Sequence, residues 1–99
     1  MIIIGFTSYP LQSTDQVVNR VMEIPRLPDY IKGRGNYGYT TMEGWGGIQI
    51  YEFDSSKAEE AHWDIMQPYG NFYDVPGYKY ELKFGLKSRE AMQRYLESR

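Results

Sequence analysis

Apolar and polar positions change period several times along the chain, and each change marks an element. Ile2-Ile3-Ile4-Gly5-Phe6 is apolar on both alternating sets of positions, the pattern of a strand covered on both faces, and Tyr9-Pro10 ends it. Ser13 to Gln16 has the spacing of a capping box ahead of Val17, Val18, Val21, Met22 and Ile24. That predicts an amphipathic helix stopped by Pro25. Pro25-Arg26-Leu27-Pro28 is then a connector, because proline has no N–H to give and biases its predecessor towards extended backbone.

From Tyr30 to Glu43 alternation returns, with Tyr37, Tyr39 and Thr41 on one side and Asn36, Gly38 and Thr40 on the other; the interior glycines suit an edge strand with a bulge. Gly44-Trp45-Gly46-Gly47 reads as a hairpin connection and Ile48 to Phe53 as its return strand. Ser56 and Glu59, again at capping-box spacing, open a second helix that Pro68 kinks or ends. Its inner face is expected to hold Ala58, Ala61, His62, Ile65, Met66 and Tyr69. Tyr78 to Leu86 alternates without a miss, placing Tyr78, Tyr80, Leu82, Phe84 and Leu86 on the face expected to be buried. A last helix begins near Ser88, with Ala91, Met92, Tyr95 and Leu96 on its inner stripe.

The order β-α-β-β-α-β plus a terminal helix predicts an α+β fold, a ferredoxin-like antiparallel sheet with strand order 4-1-3-2, in one domain spanning residues 1–99. A chain of this size buries only about 60–65% of the surface it exposes when unfolded, so a second subunit adds useful burial and a homodimer is expected.

Composition narrows the chemistry. With no cysteine there is no disulfide framework, thiolate metal site or cysteine nucleophile. No segment reaches the roughly 20 apolar residues of a membrane-spanning helix. Met1 to Phe6 lacks the basic start of a signal peptide, so no membrane association and a cytoplasmic location are expected. Eleven Lys+Arg against thirteen Asp+Glu give a net charge of −2, which offers no footprint for a polyanion. RNA-recognition modules of this topology also need stacking rings on the third strand, where Ile48 and Ile50 stand instead, so single-stranded nucleic acid is disfavoured as a partner.

His62, the only histidine, faces the sheet on a helical wheel and is the candidate catalytic acid or base; the competing reading is a core imidazole. No second histidine or acidic ligand spacing accompanies it, so neither a metal nor any other cofactor is expected. Trp63 falls on the opposite side of that helix and should be covered by the terminal helix or a second subunit. Ten tyrosines make the chain rich in rings that combine an apolar body with a hydrogen-bonding tip. Tyr9, Tyr37, Tyr39, Tyr51, Tyr78 and Tyr80 are rings able to line a pocket for a flat organic ligand, with Tyr9, Tyr37 and Tyr39 the candidates for contact and Arg34 a candidate anchor for an anionic group. The alternatives are core and interface packing for the tyrosines and protection of an edge strand for Arg34. Gly33-x-Gly35-x-x-Gly38 matches a dinucleotide-binding string by letters only, since it does not open a helix.

Tyr9-Pro10, Leu27-Pro28-Asp29-Tyr30-Ile31-Lys32, Ile50-Tyr51-Glu52-Phe53-Asp54 and Val75-Pro76-Gly77-Tyr78 resemble segments of a small prokaryotic family of uncharacterised domains. More widely, the arrangement resembles the dimeric α/β-barrel superfamily, in which two ferredoxin-like subunits pair their sheets. That resemblance implies a homodimer with a cavity between sheet and helices, handling a small aromatic or apolar molecule in the manner of a monooxygenase or isomerase. The alternative is a noncatalytic binding or assembly module. Haem degraders of that superfamily carry an Asn on the first strand; Phe6, Thr7 and Ser8 end it here, so His62-Trp63 does not establish haem chemistry.

Overall fold

A computed structural model describes residues 1–99. In chain order the elements are β1 (Ile2–Pro10), α1 (Thr14–Val21), β2 (Lys32–Thr40), β3 (Gly44–Glu52), α2 (Ala58–Gly70), β4 (Lys79–Gly85) and α3 (Ser88–Glu97). The four strands form one antiparallel sheet in the order β2-β3-β1-β4, which puts β1 and β3 in the middle. The expected bulge on the β2 edge appears as a register shift between Gly33 and Gly35.

Strand alternation sorts the side chains into two faces. Ile3, Gly5, Thr7 and Tyr9 share one with their β3 partners Tyr51, Gln49, Gly47 and Trp45; Ile2, Ile4 and Phe6 share the other with Glu52, Ile50 and Ile48. The helices cover only the first. There Ile3, Ala61 and Ile65 are fully buried and pack with Ile31, Phe53 and Tyr69. Burying a side chain such as Ile65 is worth about 1.5–3 kcal/mol. A second cluster, Val17, Phe72 and Val75, seats α1 against the segment after α2. Two polar ties hold that junction: the Arg20 guanidinium forks the Asp74 carboxylate at 2.8 and 3.2 Å, and the Ser13 hydroxyl donates to the Pro76 carbonyl at 2.7 Å.

Several local expectations are corrected by tertiary contacts. The Ser13 capping box does not form, because that hydroxyl is committed to Pro76; a 3-10 turn at Leu11–Ser13 leads into α1 instead. Ahead of α2, Asp54 caps a 3-10 turn at Ser55–Lys57, its carboxylate accepting from the Ser56 N–H and hydroxyl, so Ser56 is capped rather than capping and α2 itself has no side-chain cap. α2 runs past Pro68 to end at Gly70. Gly44-Trp45-Gly46-Gly47 is not the hairpin turn but the first part of β3. The turn lies at residues 41–43, where the Thr41 hydroxyl accepts from the N–H groups of Glu43 and Gly44.

The β4 face expected to be buried is only partly so: Leu82 is half-buried, but Tyr80 is 41% and Phe84 50% exposed, each ring meeting α2 at a single aromatic contact, with Tyr69 and His62 respectively. The inner stripe of α3 fares less well. Met92, Tyr95 and Leu96 are each at least 60% exposed, and α3 buries no residue. Trp63 is also largely exposed, so α3 does not serve as the cover expected for it.

Candidate functional site

At one end of the covered sheet face, side chains give way to a cleft of about 350 Å³. Val21 of α1, with Ile24 and Leu27 of the connector, forms one wall, and Pro68, Tyr69 and Phe72 at the end of α2 form the other. The floor is sheet, including Thr7, Asn36, Gly47, Gln49 and Tyr51. No charged side chain lines the cleft.

Two glycines recess polar groups into that floor. A Cβ on Gly5 would collide with the Tyr69 hydroxyl, and a Cβ on Gly47 would lie 2.8 Å from both the Gln49 side-chain nitrogen and the Thr7 hydroxyl. Only glycine lets those groups approach the backbone so closely. In the space so made runs a line of hydrogen bonds. Tyr51 and Tyr69 hydroxyls lie 2.8 Å apart, the Tyr69 hydroxyl donates to Gln49 Oε1 at 2.8 Å, and Gln49 Nε2 donates to Asn36 Oδ1 at 3.4 Å. Beside it Tyr9, Tyr78 and Phe72 make a stacked aromatic wall, with Tyr78 4.6 Å from Phe72 and 6.2 Å from Tyr9 between ring centres.

Burial pushes the Tyr51, Tyr69 and Tyr78 phenols above the ordinary tyrosine range, because a phenolate would lose its solvation; beside Tyr69, the Tyr51 hydroxyl adds to the effect. All three therefore remain protonated at neutral pH and act as hydrogen-bonding hydroxyls rather than as bases.

The residues singled out from the sequence are divided by the fold. Tyr9 lines the cleft, and Tyr37 borders it, though its ring, 61% exposed, lies against Gly35 on the opposite sheet face. Tyr39 lies on the opposite sheet face, its ring against Gly46. Arg34 stands outside the cleft and donates from Nε to Glu52 Oε1 at 2.7 Å; Lys87 reaches the other oxygen at 2.9 Å. Those two cations, Lys87 foremost, hold the Glu52 carboxyl down at about 2. His62 is half-buried against Phe84, 5.0 Å between ring centres, and is not part of the cleft wall. The candidate acid or base thus lies apart from the cleft, which opens at the glycine-rich end of the sheet.

Sequence reasoning missed Asn36, Gln49 and Tyr69 as site residues. A signal for Gln49 was present: an amide on the inward set of β3, flanked two residues away by Gly47 and Tyr51, is a polar group where an apolar one is expected. No three His, Asp or Glu side chains gather as metal ligands, and no helix is long and apolar enough to cross a membrane.

No family model matches the chain, and no curated protein matches it. Among solved structures, a DUF3240 family protein from Shewanella baltica is similar at 14% identity and a TM-score of 0.32, over 88% of this chain and 97% of that one.

Proposed function

We propose that the protein binds a small, flat, largely apolar molecule in the cleft between sheet and helices. The observation that carries this reading is the cleft's construction: about 350 Å³, aromatic walls, an uncharged lining and one ordered polar line along the floor. That volume lies within the range of small-molecule sites, which are mostly apolar with a few fixed polar groups. Binding suits this cleft better than acid–base catalysis, since its phenols hold their protons and His62 lies elsewhere. The test is a thermal-shift screen of neutral bicyclic aromatics. A ligand at 100 times its Kd stabilises the folded chain by about 2.7 kcal/mol, so hits should raise Tm by several degrees. A screen with no shift, repeated by ligand-observed NMR with no contact to the cleft, would reject the reading.

We further propose a ferredoxin-like subunit that pairs with a second copy through the uncovered sheet face. Ile2, Ile4, Phe6, Ile48 and Ile50 line up there without a helix over them, beside Tyr37 and Tyr39. A contiguous apolar face of this kind marks an interaction surface. Native mass spectrometry should return a mass of twice 11.6 kDa; a monomer at micromolar concentration contradicts the pairing.

A further inference from the structure

The cleft's polar line has a direction, and the direction specifies a ligand. Tyr51 has a single hydrogen-bond partner, the Tyr69 hydroxyl. If Tyr69 donated to Tyr51, the proton of the half-buried Tyr51 hydroxyl would have no acceptor, which is the costly outcome for a desolvated polar group. The protons therefore run from Tyr51 to Tyr69 and from Tyr69 to Gln49 Oε1. This fixes the amide of Gln49, whose oxygen and nitrogen would otherwise be interchangeable. With Oε1 turned to Tyr69, Nε2 lies over Gly47 and points its donors towards the cleft side that Asn36 shares. Asn36 Oδ1 receives one of those N–H groups at the long distance of 3.4 Å, and Asn36 Nδ2 has no partner in the chain. The line thus ends in amide N–H groups.

We infer that the cleft selects an uncharged ring system whose polar edge is a hydrogen-bond acceptor, a carbonyl or a ring nitrogen, received by the Gln49 and Asn36 amide nitrogens. This rests on the proposed role of the cleft as a ligand site. A carboxylate or phosphate is disfavoured although it too accepts, because no Lys or Arg lines the cleft to offset its desolvation. A donor-only edge gains nothing from the Gln49 and Asn36 amide nitrogens, which are donors themselves. Gly47 is a positioning residue here: it holds the amide in place by leaving room for it.

Equilibrium dialysis against four bicyclic probes tests this: chromone and quinoline as neutral acceptors, indole as a donor and naphthalene as neither, with 2-naphthoate as an anionic control. Chromone and quinoline should bind at least tenfold more tightly than naphthalene, with indole and 2-naphthoate no tighter than naphthalene. Gln49→Met, which keeps the length but removes the donor, and Gly47→Ala, which keeps the amide but displaces it, should each bring the ratio of chromone or quinoline affinity to naphthalene affinity down to about one, whatever the change in naphthalene affinity itself. Circular dichroism of both variants confirms the fold. Equal binding of all neutral probes, or a preference for indole, overturns the acceptor selection and leaves the cleft as a ligand site. Absence of binding by every probe overturns both.

Discussion

The covered face of the sheet has two ends built on opposite principles. Under the first turns of α2 it is filled, with Ile3, Ala61 and Ile65 at zero exposure. Past Tyr69 the same face is hollow, floored by Gly47 and bounded by rings and amides. A packing defect in a small core would be apolar and would tend to collapse; this space is lined by hydrogen-bonded groups, no buried side-chain polar atom lacks a partner, and glycines hold its floor open. The contrast separates residues that fill the face from residues that border an open space on it.

The strongest way to break that separation is Ile65→Ala, which should cost about 2–5 kcal/mol in urea unfolding as a large-to-small change in a filled core. If it costs under 1 kcal/mol, the two ends are equally loose. Tyr69→Phe comes next, because it strands the Tyr51 proton and a Gln49 lone pair; about 1–3 kcal/mol should be lost, together with the acceptor preference of the cleft. A third effect is confined to acid. Glu52 lies below its ordinary 4.5, at about 2, in the folded chain, so its contribution to stability is complete above pH 4.5 and is lost as pH falls towards 2. Tm measured across that window should fall with pH, and Glu52→Gln should reduce the slope. The smallest effect on stability is Gly38→Ala, whose Cβ would meet no atom nearer than 3.9 Å; stability should stay within about 0.5 kcal/mol. Because Gly38 lines the cleft, probe binding should nevertheless weaken.

What could be read in the sequence was whatever depends on period. β1, apolar on both sets of positions, lies between two strands, and Ala61, Ile65 and Tyr69 are the buried side of α2. Features that depend on distant partners escaped. Ser13 looked like a cap because Pro76, which takes its hydroxyl, is 63 residues away. The glycines of β3 looked like a turn because their use, making room for the Tyr39 ring and the Gln49 amide, appears only once neighbouring side chains are in place. His62 attracted attention as the sole imidazole, yet a helical wheel cannot tell which part of a sheet a residue meets; it meets the β4 edge, at Phe84.

The uncovered α3 has a dynamic consequence. Ten residues long and burying none of them, it falls below the length at which a helix holds its shape in water by itself. The Lys87–Glu52 ion pair, just before its first turn, restrains where α3 begins and does nothing for its far end. Its amide protons should therefore exchange with deuterium almost as fast as those of a free peptide while those of β1 persist, and slowing of the α3 signals alone at higher protein concentration would report another molecule settling on it.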